Sequence, residues 1–84
     1  MGIVVCDKCE ATVNGKTTVG FLIKEGDILY REGIRFDEKK IMQAMEKYNE
    51  AWNILKNNNG HADCIKKIDD EYRSIYRSIQ GSRA

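Results

Sequence analysis

The sequence predicts an α+β fold: a short N-terminal knuckle and small antiparallel β-meander, then an antiparallel two-helix hairpin. Three observations predict it. A Cys6-x-x-Cys9 pair precedes strand-favouring segments punctuated by Asn14-Gly15, Gly26 and Gly33. Two later stretches carry apolar residues at spacings of three and four, the helical period. A second pair, His61-x-x-Cys64, opens the later of those stretches.

Each element has a local reason. Ala11-Thr12-Val13 and Thr17-Thr18-Val19 favour strand and flank Asn14-Gly15, the dipeptide that suits a type I′ turn because both central positions need positive φ. Val19-Gly20-Phe21-Leu22-Ile23 continues the second strand. The Glu25-Gly26-Asp27 cluster turns the chain into Ile28-Leu29-Tyr30-Arg31, and Gly33 punctuates again before Ile34-Arg35-Phe36. Knuckle and meander thus take residues 3–36. Helix one spans 37–57, with Asp37 as N-cap and Phe36 and Ile41 placed as a hydrophobic staple. Its stripe is Ile41, Met45, Tyr48, Trp52 and Leu55, widened by Met42, Ala44 and Ala51. The run Asn57-Asn58-Asn59-Gly60 ends it, with Gly60 or an Asn in the left-handed cap. Helix two spans 61–80, with His61 and Cys64 in its first turn and a stripe of Ile65, Ile68, Tyr72, Ile75 and Ile79. Gly81-Ser82-Arg83-Ala84 reads as a frayed tail, and the short connection sets the two helices antiparallel.

At 84 residues the chain is expected to form one domain, 1–84, whose core is marginal for its size. Chains of this length often add a metal, a disulfide set or a partner subunit to the hydrophobic core. The formal net charge is +1, from 14 basic and 13 acidic residues, which gives no strong field for nucleic acid or an anionic membrane. No apolar run approaches the roughly 18 residues of a membrane span. Gly2 follows Met1, yet position 6 is Cys6 where a myristoylation signal needs Ser or Thr. Three cysteines cannot all pair within one chain, so a cytoplasmic, reducing location is expected.

The cysteines and the histidine carry the chemistry. The chain has three Cys and one His, and they form two pairs with the same gap. Random placement gives that coincidence roughly once in 600. A Cys-x-x-Cys turn brings two sulfurs to one side of a knuckle, and residues three apart at a helix start share a face. Two such pairs can close a tetrahedron around Zn²⁺, which makes Cys6, Cys9, His61 and Cys64 the candidate metal ligands and zinc the expected cofactor. Four protein ligands leave no position for water, so the expected site is structural. The alternatives are a Cys-x-x-Cys redox pair and unligated thiols beside a satisfied histidine.

Cys6-Asp7-Lys8-Cys9, a following hairpin and Gly60-His61-Ala62-Asp63-Cys64 together resemble a treble-clef zinc finger. The ligand order Cys-Cys-His-Cys is that of PARP-type fingers, and LIM modules also use His-x-x-Cys as a second pair. The resemblance implies a zinc-bound knuckle and, from the PARP-type finger, DNA-end binding. The chain departs from those fingers by placing 51 residues between Cys9 and His61.

A non-enzymatic module is expected, since the only His and every Cys are claimed by the metal. Gly15-Lys16-Thr17-Thr18 ends like a phosphate loop but lacks the upstream Gly, position 10 being Glu10, and reads as a hairpin turn. Asp69, Asp70 and Glu71 read as a solvated helix face. The leading expectation is a zinc-binding regulatory module that binds or inhibits a larger protein through Tyr30, Trp52 or Tyr76, with a homodimer as one form of that contact. The alternative is a small DNA- or RNA-binding finger using Lys8, Lys66, Arg73 and Arg77, with Arg83 extending the basic character into the tail.

Overall fold

Thr18 opens a helix where the sequence reading continues a strand. In the structure, a computed structural model that describes residues 3–83 and side chains as far as residue 79, the order is α1 (Asp7–Glu10), β1 (Val13–Asn14), β2 (Thr17–Thr18), α2 (Val19–Arg35), α3 (Glu38–Asn57) and α4 (Ala62–Arg83). Met1, Gly2 and Ala84 lie outside the described residues, as does the side chain of Arg83. The expected frayed tail is helical as far as Arg83.

The main correction concerns the β-meander expected over 3–36. Beyond the hairpin it is replaced by α2, so the chain is mostly helical with a single two-stranded sheet among its described residues. The physical cause is visible in what α2 buries: Val19, Leu22, Ile23, Gly26 and Gly33 lie on one helical stripe. The Thr18 side chain caps the helix, accepting a hydrogen bond from the Phe21 backbone N–H at 3.1 Å. The chain has no proline to break it.

Gly26 and Gly33 act as contact points for α3, not as turns. A Cβ at Gly26 would lie 2.7 Å from Cε1 of Tyr48. One at Gly33 would lie 2.5 Å from Cγ1 and 2.8 Å from the backbone nitrogen of Ile41. Each glycine costs about 1 kcal/mol of helix propensity relative to alanine, and the close approach of α2 to α3 offsets it.

The hairpin pairs Val13 with Thr18 and Asn14 with Thr17. Its loop is therefore Gly15-Lys16, one residue later than the Asn14-Gly15 centre expected. Gly15 has φ of 67°, as the first central position of a type II′ turn requires.

Helix α3 begins as its cap residue dictates, with Asp37 Oδ1 accepting from the Lys39 N–H at 3.0 Å. The expected staple does not form: Phe36 is 84% exposed, and Ile41 instead packs against Gly33. At its other end Asn59 takes the left-handed position, with φ of 56°, and the Gly60 N–H returns to the Leu55 carbonyl at 2.7 Å. Helix α3 packs against both α2 and α4, most extensively against α2. Val19 and Leu22 of α2, Tyr48 and Leu55 of α3, and Ile68 and Ile75 of α4 are the largest fully buried side chains. The Tyr48 hydroxyl, inside this core, donates to Asp27 Oδ1 at 2.5 Å.

Candidate metal centre

Two chain segments deliver the four candidate ligands to one place. The first is the single-turn helix α1. Cys6 sits at its N-cap position with extended backbone, the Glu10 N–H bonds back to the Cys6 carbonyl at 2.9 Å, and Cys9 faces inward. The turn is held in place by its continuation: the Thr12 N–H reaches the Cys9 carbonyl at 3.2 Å, and the Val19 N–H reaches the Thr12 carbonyl at 2.8 Å, tying knuckle and hairpin to the start of α2. The second segment is the start of α4. The His61 carbonyl accepts from the Ile65 N–H at 3.0 Å, so His61 stands at the helix entrance and Cys64 in the first turn.

The donor atoms of Cys6, Cys9, His61 and Cys64 all lie within 4.8 Å of one another. Nδ1 of His61 stands 3.1 Å from Sγ of Cys6. A tetrahedral zinc with Zn–S near 2.3 Å requires ligand edges of about 3.8 Å. Side-chain shifts of about 1 Å would therefore close the cluster on an ion. Backbone N–H groups also point at the sulfurs across the two segments: Cys6 N–H to Cys64 Sγ, and His61 N–H to Cys9 Sγ, each at 3.4 Å.

The sulfurs differ in surroundings. Cys9 and Cys64 are buried, whereas Cys6 is partly open to solvent. The Cys6 thiol is lowered to about 6, chiefly by a hydrogen bond from the backbone N–H of Cys9. Burial pushes the Cys9 thiol up to about 11. A divalent cation reverses that cost, because ligation deprotonates the thiol outright. The donor set, soft thiolates with one imidazole, suits zinc among the common ions.

The other sequence-selected residues fall elsewhere. Tyr30 and Trp52 are half-buried against the core, and the Lys56 ammonium lies 4.6 Å over the Trp52 ring. Tyr76 is 52% exposed. Lys8 is exposed on α1, and Lys66, Arg73 and Arg77 are exposed on α4. Arg73 pairs with Asp69 at 3.2 Å, so an acidic residue of the run flagged in the sequence offsets part of that basic face. Sequence reading overlooked the contact role of Gly26 and Gly33 and the exposure of Ile34 and Phe36 beside them. The signal for the first was the spacing of Val19, Leu22, Ile23, Gly26, Tyr30 and Gly33, which is helical throughout.

No helix among the described residues is long and apolar enough to cross a membrane. No protein-family model, curated protein or solved structure matches the chain.

Proposed function

We propose that the chain is a non-enzymatic zinc module, in which one Zn²⁺ held by Cys6, Cys9, His61 and Cys64 fixes the fold that a protein partner then recognises. The observation that carries the metal reading is the convergence of these four donors within 4.8 Å, from segments on either side of α2 and α3. Four protein ligands complete a tetrahedron, which leaves the ion a structural role. The regulatory, protein-binding part draws its support from the surface. Ile34, Phe36, Met42 and Tyr76 are each more than half exposed, while the basic residues of α4 are interleaved with Asp69 and Asp70. A nucleic-acid finger is the competing reading, and it predicts affinity that falls steeply with salt and depends on Arg73 or Arg77.

Native mass spectrometry of the untreated chain, repeated after a strong chelator, tests the metal reading. One zinc per chain is expected, lost together with the compact charge distribution. Apparent binding energies of structural zinc, about 10–16 kcal/mol at pH 7, match or exceed the whole stability of a small domain, about 5–15 kcal/mol. Cys64→Ala is accordingly expected to unfold most of the chain. A metal-free chain with an unchanged melting curve would refute the reading.

A further inference from the structure

Part of the uncovered apolar surface lies away from the metal centre, although Val4, Val13, Phe21 and Ile28 are exposed nearer to it. The ligands lie before α2 and at the start of α4, whereas Ile34 and Phe36 close α2 and Tyr76 and Ile79 belong to the last turns of α4. Along α4 alone, fifteen residues separate Cys64 from Ile79, about 22 Å of helix. At this far end a groove of about 460 Å³ is lined by Tyr30, Ile34, Ile41, Ile75 and Ile79. Phe36 stands on its rim with 84% of its surface exposed. Arg35, Asp37 and Glu38 complete the rim.

We infer that this end docks a second copy of the chain about a two-fold axis, the Phe36 ring of each copy seated in the groove of the other. The inference names the partner of the protein-binding reading above and rests on it. A two-fold contact needs a patch that is complementary to itself. Here the projecting ring and the groove that would take a ring belong to one patch, side by side. The charges agree: Arg35 stands beside Asp37 and Glu38, so a two-fold axis can set Arg35 of each copy against Glu38 of the other. A rim of one sign would repel its own copy and fit a partner of opposite charge. The area also suits a modest self-association. Ile34 and Phe36, the two strongly exposed apolar side chains of the groove, present on the order of 300 Å² per copy, and with the groove walls and rim added the contact falls in the small, transient class below the roughly 800 Å² per partner of a standard interface. A weak dimer that forms with rising concentration is expected.

The test is sedimentation equilibrium of the full, zinc-loaded chain from low micromolar to several hundred micromolar, with helicity and zinc content measured on each sample. The wild-type chain is expected to pass from monomer to dimer across that range. Phe36→Glu changes a side chain that the fold leaves exposed, so helicity and zinc should be kept while dimer affinity falls at least tenfold. Arg35→Glu and Glu38→Arg should each weaken the dimer severalfold, and the double exchange should restore most of the loss. Three results overturn the inference: a wild-type chain that stays monomeric at the highest concentration, a dimer indifferent to Phe36→Glu, or a double exchange no better than the single ones. With zinc bound and helicity intact, any of these leaves the metal reading standing and opens the groove to a different protein. A chain that binds no zinc yet stays folded defeats the metal reading, and its own monomer–dimer curve then supports or overturns the dimer by the same three results.

Discussion

Gly33→Ala tests whether α2 and α3 touch as closely as the structure places them. Alanine is the better helix former by about 1 kcal/mol, so an ordinary exposed helical glycine gains stability from this change. At Gly33 the added carbon would stand 2.8 Å from the backbone nitrogen of Ile41 and 2.5 Å from its Cγ1. Ordinary contact begins near 3.4 Å. The side chain of Ile41 can rotate, but its backbone can retreat only if the helices part by about half an ångström or more. Overpacking of this kind costs about 1–3 kcal/mol. A contact with backbone falls in the upper part of that range, about 2–3 kcal/mol, so after the propensity gain the net loss is about 1–2 kcal/mol, or roughly 5–15 °C in melting temperature for a chain of this size. Gly20→Ala is the internal control. Its new carbon meets only the side chain of Glu10, an exposed residue free to swing away, so Gly20→Ala should be neutral or raise the melting temperature. The assay is thermal melting of both zinc-loaded variants by circular dichroism. If Gly33→Ala melts at or above the wild type, the close contact between α2 and α3 is wrong.

Two further outcomes follow from caps and buried groups. Thr18→Ala removes the acceptor for the Phe21 N–H and should cost about 1 kcal/mol, with Thr18→Ser restoring most of it in urea unfolding; equal stability of all three would argue that α2 does not start at Val19. Tyr48, 0% exposed and hydrogen-bonded to Asp27, has its phenol raised well above the ordinary value near 10, first by burial and then by that carboxylate. A raised folded-state value means that its contribution is fully present below pH 10 and is lost as pH rises beyond. Stability should then fall by at most about 1.4 kcal/mol per pH unit from this group, and Tyr48→Phe should lose that part of the slope, although it is less stable at neutral pH. Parallel curves for the two proteins above pH 10 would refute the assignment.

How much of this could be read in the sequence depends on which signals had competitors. The clustering of Cys6, Cys9, His61 and Cys64 was legible because they exhaust the chain's Cys and His in two equal pairs, and no other use of them explains the spacing as economically. Helices α3 and α4 were legible because Ile41 to Leu55 and Ile65 to Ile79 keep a helical period with no glycine inside it. Helix α2 was hidden by its glycines. Gly20, Gly26 and Gly33 fall among Val, Ile, Phe and Tyr, residues that favour strands, and glycine there normally signals a turn. Only the partner helix gives those glycines another meaning, since the ring of Tyr48 and the backbone of Ile41 need the space a side chain would fill. Phe36 misled in the same manner, because a staple pairing with Ile41 presupposes a strand before α3 and not another helix end packing on it.

The placement of the candidate metal ligands gains significance from what α2 turns out to be. Were residues 19–36 a meander, zinc would tie a sheet to a helix that already packed on it. With α2 helical, α3 is the element that both α2 and α4 pack against, and the α2–α3 pairing is the more extensive. Helix α4 therefore depends on α3 for most of its packing, supplying Ile68 and Ile75 to a core that α2 and α3 otherwise fill. Cys64 and His61 give it a second attachment at its entrance, to the knuckle that is itself hydrogen-bonded through Thr12 to the start of α2. On the zinc reading proposed above, an ion at that point would join the first and last helices directly, reinforcing the two N–H to sulfur contacts that already link them. That is where a staple adds most to a small core: between elements whose own contact is thin.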